Sequence, residues 1–174
     1  IDGTPAGSLR EFCLSEDELQ LFFSAADPSD GILRLYEARR AHTALDFGAP
    51  RRLDELNSDT EDRAPWLSAN GMELYFVSHR NGYGELMLAS RRGPEAQWFA
   101  PQAVPGIPQD VYSIAQAEGD LRLIYARSGS NAALASALRD EQRVWTEQGN
   151  YPGVDVRVAA HLTGASLQEQ EIYL

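Results

Sequence analysis

The feature that most constrains the fold of this sequence is an internal repeat of about 50 residues. The segment LSEDELQLFFSA (residues 14–25) recurs as LSANGMELYFVS (67–78), and a weaker third copy reads AEGDLRLIYAR (117–127). Each copy is a turn signal followed by apolar residues at alternating positions, which is typical of a turn that leads into a β-strand. The repeat therefore predicts several copies of one β-rich unit.

Two further elements recur in the same order after each copy. A second apolar strand follows in LRLYEARR (33–40), ELMLASRR (85–92) and ALASALRD (133–140), and EIYL (171–174) resembles a fourth. A proline-containing segment then follows in FGAPRRLDEL (47–56) and WFAPQAVPGI (98–107), and more weakly in VWTEQGNYPGV (144–154). Proline suits an outer strand, because an edge position does not need the missing N–H.

With a leading strand before each copy, the unit contains four short strands, which is the signature of a β-propeller blade. We therefore predict an all-β fold, a single β-propeller domain over residues 1–174, with units at roughly 8–58, 59–108, 109–153 and 154–174. The last unit is short, so we expect about four blades, the last incomplete, within this chain or within a larger ring. Either a blade is trimmed or residues are missing between Val154 and Leu174. A β-sandwich with coincidental repetition is the alternative.

Composition excludes several functions. Fifteen basic against twenty-six acidic residues give a net charge of −11, which disfavours nucleic acids and anionic membranes. Every basic residue is arginine, so lysine-based chemistry is excluded. Cys13, the one cysteine, lies in an apolar stretch and is expected to be a buried, inert thiol. The three histidines are scattered along the chain, and we predict no metal and no cofactor. No apolar run is long enough to span a membrane.

The second unit carries a family resemblance. Residues LSANGMELYFVSHRNGYGELMLASRR (67–92), preceded by LNSDTEDRAPW (56–66), resemble the TolB-like (WD40-like) β-propeller repeat. The resemblance implies a bacterial, envelope-associated protein in the periplasm or outside the cell. It also implies a protein or a cell-envelope polymer as the partner.

In a four-stranded meander, the loops between blades and the loops between second and third strands lie on one face, where propellers usually carry function. Arg80 is expected to pair with Glu61 or Asp62, and His79 to be a solvated loop residue. Ser15 and Ser68 belong to the repeated turn and have no nucleophile setting. The candidate partner-binding residues on this face are Glu61, Asp62, Arg63, His79, Arg80, Tyr83, Asp110, Tyr112 and Arg127.

The main functional expectation is a non-catalytic binding or scaffold propeller, not an enzyme, that presents this face to its partner. A homodimer through exposed sheet edges is a further expectation. The alternative is a glycoside-acting or other hydrolytic propeller, with Glu61 or Asp62 opposing Asp110 or Asp30 as the two carboxylates. A third option is calcium binding, although the EF-hand spacing is absent. Its oxygen ligands would be Asp27, Asp30, Asp59, Asp62 and Asp110.

Overall fold

The computed structural model describes residues 9–115, 121–128 and 133–150, which form three antiparallel sheets of four strands each. Blade 1 comprises β1 (Leu9–Leu14), β2 (Gln20–Ala26), β3 (Leu33–Arg39) and β4 (Arg51–Arg52). Blade 2 comprises β5 (Asp62–Leu67), β6 (Glu73–Ser78), β7 (Glu85–Ser90) and β8 (Gln102–Ala103). Blade 3 comprises β9 (Val111–Ala115), β10 (Arg122–Arg127), β11 (Leu134–Arg139) and β12 (Trp145–Asn150).

Each sheet is a meander in which consecutive strands pair, as the repeat predicted. The all-β class is confirmed, and 133–140 forms a strand. The structure describes three blades, and the predicted fourth unit (154–174) lies outside the described residues, so an incomplete fourth blade and a larger ring stay predictions. No helix in the described part of the chain is long and apolar enough to cross a membrane.

The repeated turn between the first two strands is built by the same side-chain contacts in blades 1 and 2. The Ser15 hydroxyl donates to Asp17 Oδ1 (2.6 Å) and accepts from the first backbone N–H of β2 (2.9 Å). The Ser68 hydroxyl donates to Asn70 Oδ1 (2.8 Å) and accepts from the first N–H of β6 (2.9 Å). Both serines therefore close turns, which confirms their predicted structural role.

The core lies between the blades, because alternate residues of each second strand face opposite neighbours. In β6, Leu74 and Phe76 pack with blade 1, whereas Tyr75 and Val77 pack with blade 3. The alternating apolar residues of the repeat therefore lie on the same side of their second strands, as their spacing predicts, and this side faces away from the following blade. These residues are Leu21, Phe23, Leu74, Phe76, Leu123 and Tyr125. Full burial of each such aromatic side chain stabilises the fold by about 1.5–3 kcal/mol.

Trp66 lies near the end of β5, and its ring packs on Tyr75 (5.1 Å between centroids) in the core that blades 2 and 3 share. One local expectation, the position of the prolines, needs correction. The outer strands β4 and β8 have only two residues each and begin just after Pro50 and Pro101. The prolines thus precede the outer strands, because a proline cannot donate a ladder hydrogen bond.

Candidate functional site

Loops from neighbouring blades meet on one face, which we call the loop face. It is formed by the β2–β3 loop (27–32), the β6–β7 loop (79–84) and the inter-blade links (53–61 and 104–110). Arg34 Nη1 at the start of β3 donates to the carbonyl oxygen of Thr60 (2.7 Å). The backbone N–H of Ser128 donates to the carbonyl oxygen of Asp110 (2.8 Å). The first contact joins the link 53–61 to blade 1, which precedes it. The second joins the link 104–110 to the β10–β11 loop of blade 3, which follows it.

Asp62 and Arg80 form a buried ion pair beneath the loop face. Asp62 Oδ1 lies 3.2 Å from Arg80 Nη2, and Asp62 Oδ2 accepts from the backbone N–H (2.5 Å) and the hydroxyl (2.7 Å) of Ser58. Arg80 Nη2 also donates to the carbonyl oxygen of Leu56 (2.8 Å). The predicted pairing of Arg80 is therefore confirmed with Asp62, whose side chain has no solvent exposure. The pair holds the link against the loop.

Asp110 and Arg127 form the corresponding pair in blade 3. Arg127 Nε and Nη2 donate to the two carboxylate oxygens of Asp110 at 2.9 and 3.2 Å, and Arg127 Nη1 reaches Glu147 at 3.4 Å. The hydrogen bond to Asp110 raises the pKa of Arg127 above its ordinary value. Burial raises the pKa of the neighbouring Tyr125 phenol. This cluster is separate from the pair of Asp62.

Arg63 is held in place by three contacts. Its Nη1 lies 3.2 Å from Glu61 Oε1, its Nη2 donates to the carbonyl oxygen of Tyr112 (2.6 Å), and its Cζ lies 3.7 Å above the Tyr112 ring. The Arg63 side chain is nearly buried, and its Nε–H has no hydrogen-bond partner. The sequence prediction thus named three residues that the structure brings together, while Tyr83 stays exposed on its loop.

His79 is a half-buried loop residue, so it is less exposed than the solvated loop residue expected from the sequence. Its Nδ1 is buried without a hydrogen-bond partner, and its backbone N–H donates to the carbonyl oxygen of Glu61 (2.9 Å). Its Nε2 lies 3.5 Å from the place where a Cβ on Gly84 would be. Gly84 in turn lies against the carbonyl oxygen of Val111, which draws the loop inward and buries the imidazole beside the start of β9.

Most of the carboxylates proposed for glycoside hydrolysis or for calcium binding occupy separate ion pairs. Asp30 Oδ2 lies 3.0 Å from Arg34, and Asp27 Oδ2 lies 2.6 Å from Arg52. In the described part of the chain, no group of three His, Cys, Asp or Glu side chains is placed to hold a metal ion. The absence of a metal or cofactor nevertheless stays a prediction.

Three residues that shape the site were not identified from sequence. Gly84 sets the close approach of link and loop, Ser58 binds Asp62, and Glu147 binds Arg127. Gly84 carried a weak signal as the last glycine of the NGYG loop (81–84). The other two carried none, because an isolated serine or glutamate has no distinguishing pattern.

The comparisons with known proteins bear on the fold. No protein-family model matches this chain, and no curated protein matches it in sequence. A solved gluconolactonase from Xanthomonas campestris is similar in structure, with a TM-score of 0.54 and 15% identity over 88% of this chain and 52% of that chain. A protein of unknown function from Desulfotomaculum acetoxidans matches with a TM-score of 0.48 and 11% identity over 82% of this chain and 40% of that chain. The chain thus spans about half the length of these structures.

At such identities the likeness to the gluconolactonase shows the fold alone, a repeated all-β architecture of four-stranded sheets. It also corrects the main functional expectation. One solved structure with this fold carries the name of an enzyme, a gluconolactonase, so this finding contradicts the expectation of a non-catalytic binding module and favours the hydrolytic alternative. These comparisons do not show the TolB-like family itself.

Proposed function

We propose that the chain acts as a hydrolytic β-propeller that cleaves an ester-like bond, such as that of a lactone, at the loop face. The observation that carries this proposal is a pair of buried nitrogens without hydrogen-bond partners, Arg63 Nε and His79 Nδ1. Both belong to residues that pack near the start of β9.

Buried polar atoms without partners are rare, because each costs about 1–3 kcal/mol in lost hydration. Such atoms are retained where a ligand or an ordered water completes their hydrogen bonds. One of these atoms lies on β5 and the other on the residue that directly follows β6, and together they indicate a place where a polar substrate is expected. The exposed Tyr112 side chain beside Arg63 offers a surface for the body of that substrate.

The chemistry follows from the two side chains. His79 removes a proton from a water molecule whose oxygen attacks the carbonyl carbon, and the positive charge of Arg63 stabilises the developing oxyanion. The ester C–O bond then breaks, and the leaving oxygen takes the proton back from His79. The products are a carboxylate, a released proton and an alcohol. Glu61 positions Arg63 through their ion pair.

Glycoside hydrolysis is less well supported than ester hydrolysis. That reaction needs one protonated carboxylic acid beside a second carboxylate. Asp62 and Asp110 each lie against an arginine, at 3.2 Å and 2.9 Å, so both carboxylates are already engaged in ion pairs. An imidazole-assisted reaction needs no such protonated acid.

The proposal also includes the resemblance to the TolB-like propeller family and the location that it implies. The repeat in units one and two supports a TolB-like propeller in the bacterial periplasm or outside the cell, with a cell-envelope polymer as the source of the substrate. An incomplete fourth blade, a larger ring and a homodimer through sheet edges are further parts of it. Sedimentation across a range of protein concentrations tests the dimer, and a strictly monomeric profile would exclude it.

The experiment measures acid release from gluconolactone by the purified chain, corrected for spontaneous hydrolysis. We expect His79→Gln to lower the rate by about 100-fold or more, the usual contribution of a general base. His42→Gln is the matched control, because His42 is exposed in the 40–46 turn. Arg63→Lys keeps the positive charge, removes Nε and is expected to lower the rate as well. Circular dichroism verifies that each variant is folded.

Two outcomes would contradict the proposal. The first is a wild-type rate no higher than that of buffer, with gluconolactone and with p-nitrophenyl acetate. The second is equal activity of the His79→Gln and His42→Gln variants. The same assay decides the untested expectation that the chain is not an enzyme.

A further inference from the structure

A cleft of about 400 Å³ lies between blades 2 and 3, at the blade ends opposite the loop face. We call it the outer cleft. The residues of its wall that matter here are Leu88, Ser90, Phe99, Arg139, Arg143 and Trp145. It is independent of the proposed hydrolytic site, because neither Arg63 nor His79 belongs to its wall.

The outer cleft carries a net positive charge. Glu73 at the start of β6 is buried between two arginines, with Arg139 Nη1 and Nη2 at 2.9 and 3.3 Å and Arg143 also in contact. Two guanidinium groups thus surround one carboxylate. The Arg143 side chain is 60% exposed, so it has N–H groups to offer to a further anion.

Two buried donors in the same walls have no hydrogen-bond partner. Trp145 is only 3% exposed and its indole Nε1–H is unpartnered. The Arg139 side chain is 7% exposed and its Nε–H is unpartnered. Because an unpartnered buried N–H is costly, two of them beside one cleft point to a missing acceptor.

The equivalent junction between blades 1 and 2 is filled by the chain itself. Arg39, which pairs across the strands with Gln20, is in contact with the carboxylate of Glu95 and donates to the carbonyl oxygen of Pro94 (3.1 Å). Gln20 Nε2 donates to the same carbonyl oxygen (3.3 Å). At this junction the chain therefore supplies both a carboxylate and a carbonyl oxygen as acceptors.

The junction between blades 2 and 3 has the same contact of an arginine with a tryptophan ring, but it lacks the acceptors that Glu95 and Pro94 supply at the first junction. Arg139 lies 5.5 Å from the Trp145 ring centroid, just as Arg91 lies 4.2 Å from that of Trp98. The residue that pairs across the strands with Glu73 is Ser90, where the first junction has an arginine. The short serine side chain leaves the outer cleft open.

The backbone of Arg143 supports a role for its side chain. Arg143 has a φ of +66° in the β11–β12 turn, a region where glycine is the favoured residue. Strain of this kind is found where the side chain has a function, and here it directs a guanidinium onto the buried Glu73.

From this geometry we propose that the outer cleft binds a small organic carboxylate with an apolar body. The carboxylate binds the exposed Arg143, whose movement opens the way to the unpartnered N–H groups of Arg139 and Trp145. The apolar body lies against Leu88 and the half-exposed ring of Phe99. The ligand thus supplies an acceptor for the Nε–H of Arg139, whereas the Nε–H of Arg91, the matching arginine at the first junction, donates to the carbonyl oxygen of Gly71 (2.7 Å).

Calorimetric titration with phenylacetate tests the proposal. We expect saturable binding that weakens about tenfold or more for acetate, which lacks the apolar body, and for phenylacetamide, which lacks the charge. Arg143→Gly relieves the positive φ and leaves the Arg139–Glu73 pair intact, so it should fold, and we expect it to bind phenylacetate about tenfold more weakly. Trp145→Phe should also weaken binding, whereas Trp98→Phe, the same change at the filled junction, should not.

The proposal is overturned if the wild-type chain shows no saturable binding of phenylacetate. It is also overturned if Arg143→Gly binds as tightly as the wild type, or if Trp98→Phe weakens binding as much as Trp145→Phe. His79→Gln should bind phenylacetate normally, which separates this site from the hydrolytic proposal.

Discussion

Gly84 is the position where the β6–β7 loop and the link to blade 3 lie closest together. Its carbonyl oxygen accepts hydrogen bonds from the backbone N–H groups of Asp110 (2.8 Å) and Val111 (3.0 Å). A Cβ built on Gly84 would lie 2.0 Å from the carbonyl oxygen of Val111, a separation that real Cβ atoms essentially never show. Gly84→Ala must therefore push apart two backbones that hydrogen bonds hold together.

The size of the effect follows from this geometry. The two backbones would have to separate by about 1 Å, and overpacking of this kind costs about 1–3 kcal/mol. Weakening two backbone hydrogen bonds adds about 0.5–1.5 kcal/mol each, while the stiffer unfolded chain returns less than about 1 kcal/mol. We expect Gly84→Ala to lower the free energy of unfolding by about 2–4 kcal/mol.

Urea unfolding followed by tryptophan fluorescence measures this loss. Gly93→Ala is the matched control, because no atom lies within 4 Å of a Cβ at that position and its φ is not in the left-handed region. The control should be neutral, or stabilising by up to about 1 kcal/mol. If the two variants unfold at the same urea concentration, the close packing of the link on Gly84 is refuted.

Three further predictions concern buried groups. Asp62→Asn should lower the free energy of unfolding by about 3 kcal/mol, measured in urea, because it leaves the charge of Arg80 without its partner. Burial raises the pKa of Cys13 to about 12, so iodoacetamide should label this thiol at the rate of unfolding, as followed by mass spectrometry. Hydrogen bonds from Ser29 hold the pKa of Asp27 well below its usual range, so this carboxylate stabilises the fold above about pH 4. That stability is lost as the pH falls further, and Asp27→Asn should flatten the acid side of a profile of Tm against pH.

A specific result would contradict each of these three predictions. Asp54→Asn is the control for Asp62→Asn. Asp54→Asn breaks an exposed pair with Arg52, in which the Asp54 side chain is 70% exposed, and should cost less than about 1 kcal/mol. If Asp62→Asn lowered the free energy of unfolding no more than Asp54→Asn does, the burial of Asp62 would be contradicted. Rapid labelling of Cys13 in the folded protein would contradict the packing around it. Superimposed acid profiles for Asp27→Asn and the wild type would remove the role given to Asp27.

The repeat determined the strands, their order and their phase. Alternating apolar residues place Leu74 and Phe76 on one side of β6 and Tyr75 on the other, and a strand has no other way to arrange them. The serine turns were equally determined, because the contacts of Ser15 and Ser68 reach no further than five residues along the chain. The pair of Arg80 and Asp62 followed from the repeat as well, since neighbouring strands bring the link and the loop to one face.

Only the tertiary structure decided the parts that depend on distances between blades. The burial of Nδ1 in the half-buried side chain of His79 goes with the approach of Gly84 to Val111, two residues in different blades. The outer cleft depends on Glu73 meeting Arg139, 66 residues further along the chain. Periodicity fixes which side of a sheet a residue faces, because that is a property of the strand alone. It does not fix how closely two sheets approach, because that depends on the summed volumes of the side chains packed between them.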